Sequence, residues 1–342
     1  MLAYIVRRLM ILPVILLGVT VFIFGIFSFL DPKMRAGLYV KDIPKSPDAL
    51  QRIIAKYGLD DPIHVQYWRW LNQIVRGNFG WSKTAQRPVL QALGHYFPAT
   101  AELALWAAIP VLVVGIWLGI LSALHHNRPL DHTTRVFALV GWSFPSFVYG
   151  LLMLMVFYAM LKWFPPGRIS DWVTREVIGG TFKQYSGMYT LDALLNGRLD
   201  VFADALRHLI MPVLTLSYIQ WALLLRVTRS SMLETLRQEY VMTARSKGLK
   251  ERIVVYKHAA RNAMIPVATM GGLLLVGLLN GVVLTETVFN YPGLGRWAAT
   301  AATQLDILTV LGFTLFNAVL LVAGNLIVDI LYAVIDPRIR LE

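Results

Sequence analysis

Three histidines, His125, His126 and His132, stand close together in the chain, and histidine is the commonest metal-binding side chain. No second cluster accompanies them at ligand spacing, so they are read as solvated loop residues. The sequence has no cysteine, which excludes a thiolate metal site and a disulfide. Nucleophilic chemistry finds no better footing. Ser143, Ser146 and Ser217 fall in apolar stretches, but no histidine lies deep in one, and His208 stands at a border. The patterns Gly-x-x-x-x-Gly-Lys-Ser/Thr, His-Glu-x-x-His and Gly-x-Ser-x-Gly are absent. The chain therefore carries no phosphate-cradling P-loop and no pattern for covalent catalysis. Carboxylates that cycle a proton or sodium ion belong near the middle of a bilayer. Glu102, Glu286 and Asp329 all stand near the ends of apolar runs instead. That placement argues against an ion-driven carrier, and any work done by the chain must draw its energy from another protein.

These residues have to be positioned by a membrane scaffold. Of 342 residues, 56% are hydrophobic and only 15% are charged, against roughly 25% charged in soluble domains. The net charge of +12 would suggest nucleic acid in a soluble protein. Here it fits basic cytoplasmic loops, and no nucleic-acid partner is expected. Leu9 to Leu30 is uncharged, follows Arg7 and Arg8, and is long enough to cross a hydrocarbon core of about 30 Å. No small-x-small cleavage site follows, so residues 1–30 are read as an uncleaved first span with its N-terminus inside. Residues 31–99 are of mixed, soluble type and are placed outside the cell. They hold two short amphipathic helices, Asp48 to Tyr57 and Val65 to Val75. Trp68, Trp70, Phe79 and Trp81 form a small core there or sit at the membrane interface.

Residues 100–342 supply five more spans: Leu103 to Leu124, Val136 to Leu161 with a kink at Pro145, Leu209 to Leu225, Asn262 to Thr285, and Ile307 to Val328. An external insert at 163–205 could form a small lid, and Asn290 to Gln304 re-enters from outside. The expected fold is all-α: a polytopic protein of about six transmembrane helices in the inner cell membrane, with both termini cytoplasmic. Charge supports this topology. The loop at 226–262 carries nine basic residues against Glu234, Glu239 and Glu251, whereas the external loop at 290–306 has Arg296 as its one basic residue. Residues 31–99 are also basic, but that segment exceeds the length of about 60 residues within which the rule holds.

One polar stretch interrupts this apolar chain. Glu239 to Pro266 reads EYVMTARSKGLKERIVVYKHAARNAMIP and is charged and helix-prone. Glu239, Thr243 and Ala244 fall on neighbouring faces of one helix, and Gly248 supplies a left-handed stop. A second short helix is expected from near Lys250 to Arg261. Two short helices at an angle on a membrane surface suit docking into a groove of another protein.

The pattern Glu239-x-x-x-Thr243-Ala244-x-x-x-Gly248, with Arg261-Asn262-Ala263 and Ile265-Pro266 beyond it, resembles the coupling loop of ATP-binding cassette importer permeases. The dipeptide/oligopeptide/nickel branch is the most similar. Tyr57-Gly58-Leu59-Asp60-Asp61-Pro62, Gly77-Asn78-Phe79-Gly80, Glu286-Thr287-Val288-Phe289, Pro292-Gly293-Leu294-Gly295 and Asp336-Pro337-Arg338-Ile339-Arg340 resemble that branch in order, so the likeness covers nearly the whole chain. One departure is visible: the branch places a proline shortly before the sixth span, where this chain has Leu308.

The resemblance implies a B-type permease subunit that works beside a second permease subunit, two nucleotide-binding ATPase subunits that hold ATP and Mg, and an extracytoplasmic solute-binding protein. The chain itself would hold no cofactor and touch membrane lipid. Short peptides lead as the solute, with oligosaccharides or nickel as alternatives within the family. An ion-coupled carrier is the alternative outside it. Glu239, Tyr240, Thr243, Ala244, Arg245 and Gly248 become the ATPase-coupling residues. Glu239 could pair with a basic residue of an ATPase or with Arg237 or Arg245 of its own helix. In the fifth span, Gly277 and Gly281 stand one turn apart and suggest close helix packing or a pathway lining, together with Gly271 and Gly272. Asn280 lines the pathway or glues helices together. Glu286 and the turn after it form part of an outer gate or a tight surface turn.

Overall fold

The computed structural model describes residues 2–36 and 47–335. Asp336 to Arg340 and the rest of the basic tail lie outside the described residues, as does the side chain of Asp329. Helix α1 (Leu2–Ser28) leads into α2 (Pro32–Ala36), α3 (Pro47–Tyr57) and α4 (Ile63–Val75). Strands β1 (Trp81–Ser82) and β2 (Arg87–Pro88) pair antiparallel as a minimal hairpin. Then come α5 (Val89–Leu124), α6 (Pro129–Ser143), α7 (Ser146–Met153) with a π-helical extension to Met160, α8 (Asp171–Ile178) and α9 (Tyr189–Leu195). The remainder comprises α10 (Leu199–Leu236), α11 (Glu239–Ser246), α12 (Glu251–Ile253), α13 (Ala260–Leu279), α14 (Val283–Val288), α15 (Leu294–Thr303) and α16 (Ile307–Ile335).

Among the described residues, five stretches are long and apolar enough to cross a membrane: Leu9–Ser28, Val89–Leu124, Leu199–Leu236, Glu251–Leu279 and Ile307–Val328. The expected third span is different in kind. Its two halves, Pro129–Ser143 and Ser146–Met160, meet at an angle of 100°, so it is a broken or re-entrant pair and not a kinked helix. Phe144 (φ −95°, ψ 133°) and Pro145 (φ −57°, ψ 140°) are both extended. Proline disfavours helical backbone in the residue before it and removes its own N–H, which ends α6.

A second difference concerns the elbow. The expected separate helix from Lys250 to Arg261 is absent. After α12 a π-helical turn, Val254–Ala259, runs directly into α13, so the polar segment is the first part of the fifth span. Val254, Val255, Ala259 and Ala260 are buried, which ties this turn to the core and carries the helix onward.

The centre of the bundle is the α5–α10 pair. Gly115 and Gly119 let the two backbones close: a Cβ at Gly119 would stand 2.4 Å from Cβ of Thr228 and 3.0 Å from the Leu225 carbonyl. Trp221 Nε1 donates to the Pro110 carbonyl at 2.7 Å across the same seam. In α13 the close glycines are Gly271, against Leu112, and Gly272, against Val328. Gly277 faces open space and Gly281 lies beyond the helix with φ +98°, so the spacing Gly277-x-x-x-Gly281 does not form a helix-packing face within this chain. On the outer side Trp70, Phe24 and Phe27 are buried in one cluster and Phe79 packs on it, while Trp68 is exposed.

Gly119→Val should overpack the α5–α10 seam at a cost of about 1–3 kcal/mol. A thermal melt of the detergent-purified protein is expected to fall by several degrees. Gly94→Ala, where an added Cβ meets nothing within 4 Å, should leave the melt unchanged.

Candidate functional site

Between α10 and the fifth span the chain turns a polar elbow. Helix α10 ends at Leu236, Gln238 is extended (φ −71°, ψ 147°), and α11 begins at Glu239. Gly248 ends the elbow in the left-handed region at φ +74°, which glycine adopts without a Cβ penalty. Val241 and Ala244 form the inner side of α11. They are buried in one apolar cluster with Met232 of α10, Ala123 of α5, and Val254, Val255, Ala259 and Ala263 of the fifth span. The Ser231 hydroxyl adds a 2.9 Å hydrogen bond to the Ala263 carbonyl. Ala244, expected to admit a partner's backbone, thus faces its own core.

The outer side of α11 exposes Glu239, Tyr240, Met242, Thr243 and Arg245. Thr243 turns its hydroxyl back onto the Glu239 carbonyl at 2.9 Å. The Tyr240 hydroxyl accepts from Asn262 Nδ2 at 2.7 Å, which fixes the ring against the fifth span. Arg245 is committed to Glu251 at 2.7 Å. Neither Arg237 nor Arg245 pairs with Glu239, whose carboxylate has no hydrogen-bonding or ionic partner among the described residues. A charge left free on a rigid, otherwise occupied helix is available to a partner.

The inner rim of the bundle is closed by Asp131, which is fully buried. Its carboxylate accepts from Arg229 Nε at 2.7 Å and Nη2 at 2.8 Å, from Ser122 Oγ at 2.5 Å and from the Asn127 amide at 3.0 Å. Asp131 stands among the three histidines but is spent on these contacts, and no group of three potential metal ligands occurs among the described residues.

The outer end is held by a second buried hub. Glu102, 2% exposed on α5, accepts from Arg168 Nη2 at 2.7 Å, from the Thr190 amide at 2.6 Å and hydroxyl at 2.8 Å, and from the Tyr291 hydroxyl at 3.2 Å. Arg168 also donates to the Gly187 carbonyl at 2.6 Å and lies over the Tyr189 ring. One carboxylate thus anchors the 163–205 insert, with its own core of Val173, Phe182, Ala193 and Val201, onto α5. Glu286 is equally buried: Oε1 accepts from Thr100 Oγ1 at 2.7 Å and Oε2 from the Arg296 amide at 2.7 Å. Gly293 packs so closely on its carboxyl group that a Cβ there would stand 2.4 Å away. Burial pushes the Glu286 carboxyl above its ordinary pKa, against the pull of its donors. The turn from Phe289 to Gly295 closes tightly around the Glu286 carboxylate. Asn280 caps the end of α13: its Nδ2 donates to the Val276 carbonyl at 3.0 Å and its own carbonyl accepts from Asn317 Nδ2 at 3.3 Å. The link to α16 runs through the Asn280 main chain, and its side-chain Oδ1 is buried without a hydrogen-bond partner among the described residues.

The sequence reading missed Arg168, Thr190, Tyr291, Asp131 and Arg229. A carboxylate at the border of an apolar run, which must find donors nearby, was the one available pointer.

The bundle, its broken third span and its exposed elbow define a multi-pass membrane protein, and sequence comparison sets the family. Residues 115–341 match the family described as binding-protein-dependent transport system inner membrane component, and residues 1–104 match its N-terminal companion. The chain belongs to this family. It is 43% identical over 330 residues to the probable D,D-dipeptide transport system permease protein of Escherichia coli K12, covering 96% of this chain and 94% of the relative. It is 38% identical to the oligopeptide transport system permease protein of Bacillus subtilis, covering 99% of this chain and 100% of the relative. Identity to the dipeptide transport system permease protein of Alkalihalophilus pseudofirmus is 36%, covering 99% and 100%.

Arg168→Met should strip the buried Glu102 of its cation and lower stability by about 3–5 kcal/mol. Arg245→Met breaks a solvent-exposed pair and should cost less than about 1 kcal/mol. Paired denaturation curves in the same detergent check the contrast.

Proposed function

We propose that this chain is the membrane-spanning permease subunit of an ATP-binding cassette importer for short peptides. The observation that carries the reading is the free Glu239 carboxylate on α11, a helix whose inner side shares one apolar cluster with both the fourth and fifth spans. The printed names of the relatives, dipeptide and oligopeptide permeases, support the solute class. In this reading both termini and the elbow are cytoplasmic, and the protein resides in the inner cell membrane. Two ATPase subunits bind ATP and Mg and receive the elbows of this chain and of a second permease subunit. A solute-binding protein delivers peptide from outside, and this chain holds no cofactor.

Force can pass through the elbow because it is packed and not tethered. When the ATPase pair closes, Glu239 and its neighbours are carried with it. Val241 and Ala244 sit against Met232 and Ala259, so displacement of α11 moves the ends of α10 and the fifth span. Gly248 bounds the lever. Glu102 and Glu286 favour external energy over a proton cycle, since both are hydrogen-bonded to protein groups in a closed setting.

Glu239→Lys should reverse the docking charge and reduce ATP-dependent peptide uptake in proteoliposomes by at least about tenfold. Gly248→Pro, which cannot adopt φ +74°, should do the same. Membrane insertion should persist in both. Uptake at the unsubstituted rate in both variants would remove the lever role from α11.

A further inference from the structure

A cavity of about 480 Å³ opens between α6 and α10 near the elbow end of the bundle. Its polar wall is basic: Arg135, Arg226 and Arg229 line it, with His126 at the edge. Its other wall is apolar, from Ala138, Leu139 and Leu225. The nearby carboxylate, Asp131, is already saturated by Arg229, Ser122 and the Asn127 amide. Arg135 and Arg226 are exposed and have no hydrogen-bonding or ionic partner among the described residues. The cavity therefore holds a net positive charge that the chain itself does not neutralise.

Depth makes those two arginines informative. Arg226 precedes Arg229 by three residues, about 4.5 Å toward the bilayer centre from the Asp131–Arg229 pair, and Arg135 follows Asp131 by four, about 6 Å. Asp131 is bonded to Ser122 and so lies level with the end of the second span. By the span limits given above, Arg135 immediately precedes the third span and Arg226 immediately follows the fourth, so two unpaired arginines stand at the membrane border, where anionic head groups lie. Beside them α6 exposes Val136, Leu139 and Val140, at 58%, 56% and 44%. An anion with acyl chains satisfies both walls at once, while a free anion satisfies one.

We propose that this cavity binds the phosphate of an anionic phospholipid of the inner leaflet, with Arg135 and Arg226 as the phosphate ligands and the exposed face of α6 as the acyl-chain bed. Basic pockets between transmembrane helices on the cytoplasmic side are suited to such head groups. The site would tie α6, the first half of the broken third span, to α10 through a lipid, and make the importer sensitive to the anionic fraction of its membrane. The proposal uses the cytoplasmic orientation given above but not the ATPase contact.

The test is native mass spectrometry of the assembled, detergent-purified importer titrated with short-chain phosphatidylglycerol or phosphatidylcholine. Wild type is expected to retain phosphatidylglycerol preferentially, and excess inorganic phosphate should not displace it. Arg135→Gln/Arg226→Gln should weaken retention about thirtyfold, from two basic residues at a membrane surface. Arg175→Gln/Lys183→Gln, an equal loss of charge in the 163–205 insert, should leave retention unchanged. Equal retention by the double variant overturns the proposal. So does wild-type retention of phosphatidylglycerol no better than of phosphatidylcholine, an outcome that also decides the matter if the double variant fails to assemble. Complete displacement by inorganic phosphate would make this a free-anion site. A double variant that keeps its lipid but sheds the second permease subunit would assign the arginines to a partner carboxylate instead.

Discussion

A carboxylate withdrawn from water at the rim of a bilayer must find every donor it needs inside the protein, because an unmatched buried charge costs several kcal/mol. Glu102 meets that requirement at the outer end of α5, and Asp131 meets it at the inner end. Each gathers its donors from segments far apart in sequence. The Glu102 donors come from the insert and from the turn before α15; those of Asp131 come from α5, α10 and the connecting loop. The two carboxylates therefore do what side-chain packing does in a soluble core: they decide which loops sit where. Between them the α5–α10 seam, closed by Gly115 and Gly119, joins the two ends by backbone contact and leaves little room for independent movement.

This arrangement explains why the elbow keeps its shape. An isolated eight-residue helix is marginal in water and would fray. Helix α11 is kept in shape by burying Val241 and Ala244 against three spans, by the Tyr240–Asn262 hydrogen bond and by the Arg245–Glu251 pair. Of its two charged side chains, Arg245 is paired and Glu239 is not. Rigidity and a single uncommitted charge are different properties, and the sequence places both within ten residues.

The elbow was legible because its grammar is local. An acidic helix start, a glycine stop and a basic charge excess need no tertiary knowledge, and Gly248 has the left-handed backbone those residues demand. Apolar runs gave five spans for the same reason. What stayed hidden was set by contacts across sequence. Nothing near Glu102 announces Arg168, 66 residues away, or Tyr291, 189 away. Pro145 announced a bend but not its size, because the extended Phe144 before it doubles the departure from helix. The spacing of Gly277 and Gly281 promised a packing face, yet Asn280 caps the helix first and leaves Gly281 in a turn against Gly295.

The break at Pro145 bears on how the subunit is completed. Most of α6 and α7 is exposed and apolar, including Phe137, Trp142, Phe144, Phe147, Leu151 and Met155. Bent through 100°, the pair packs on α10 along one edge only and turns its other faces outward. Lipid can cover such a surface, but the aromatic group of Phe137, Tyr149, Tyr218 and Trp221 stacks along the α6–α10 junction and stiffens it. A stiff apolar ledge beside a bend is a preformed surface, and in lipid such a surface is covered by packing and not by hydrophobicity. The aromatic ledge ties both halves of the broken span to α10, so the bend and that helix form one rigid unit beside the α5–α10 seam.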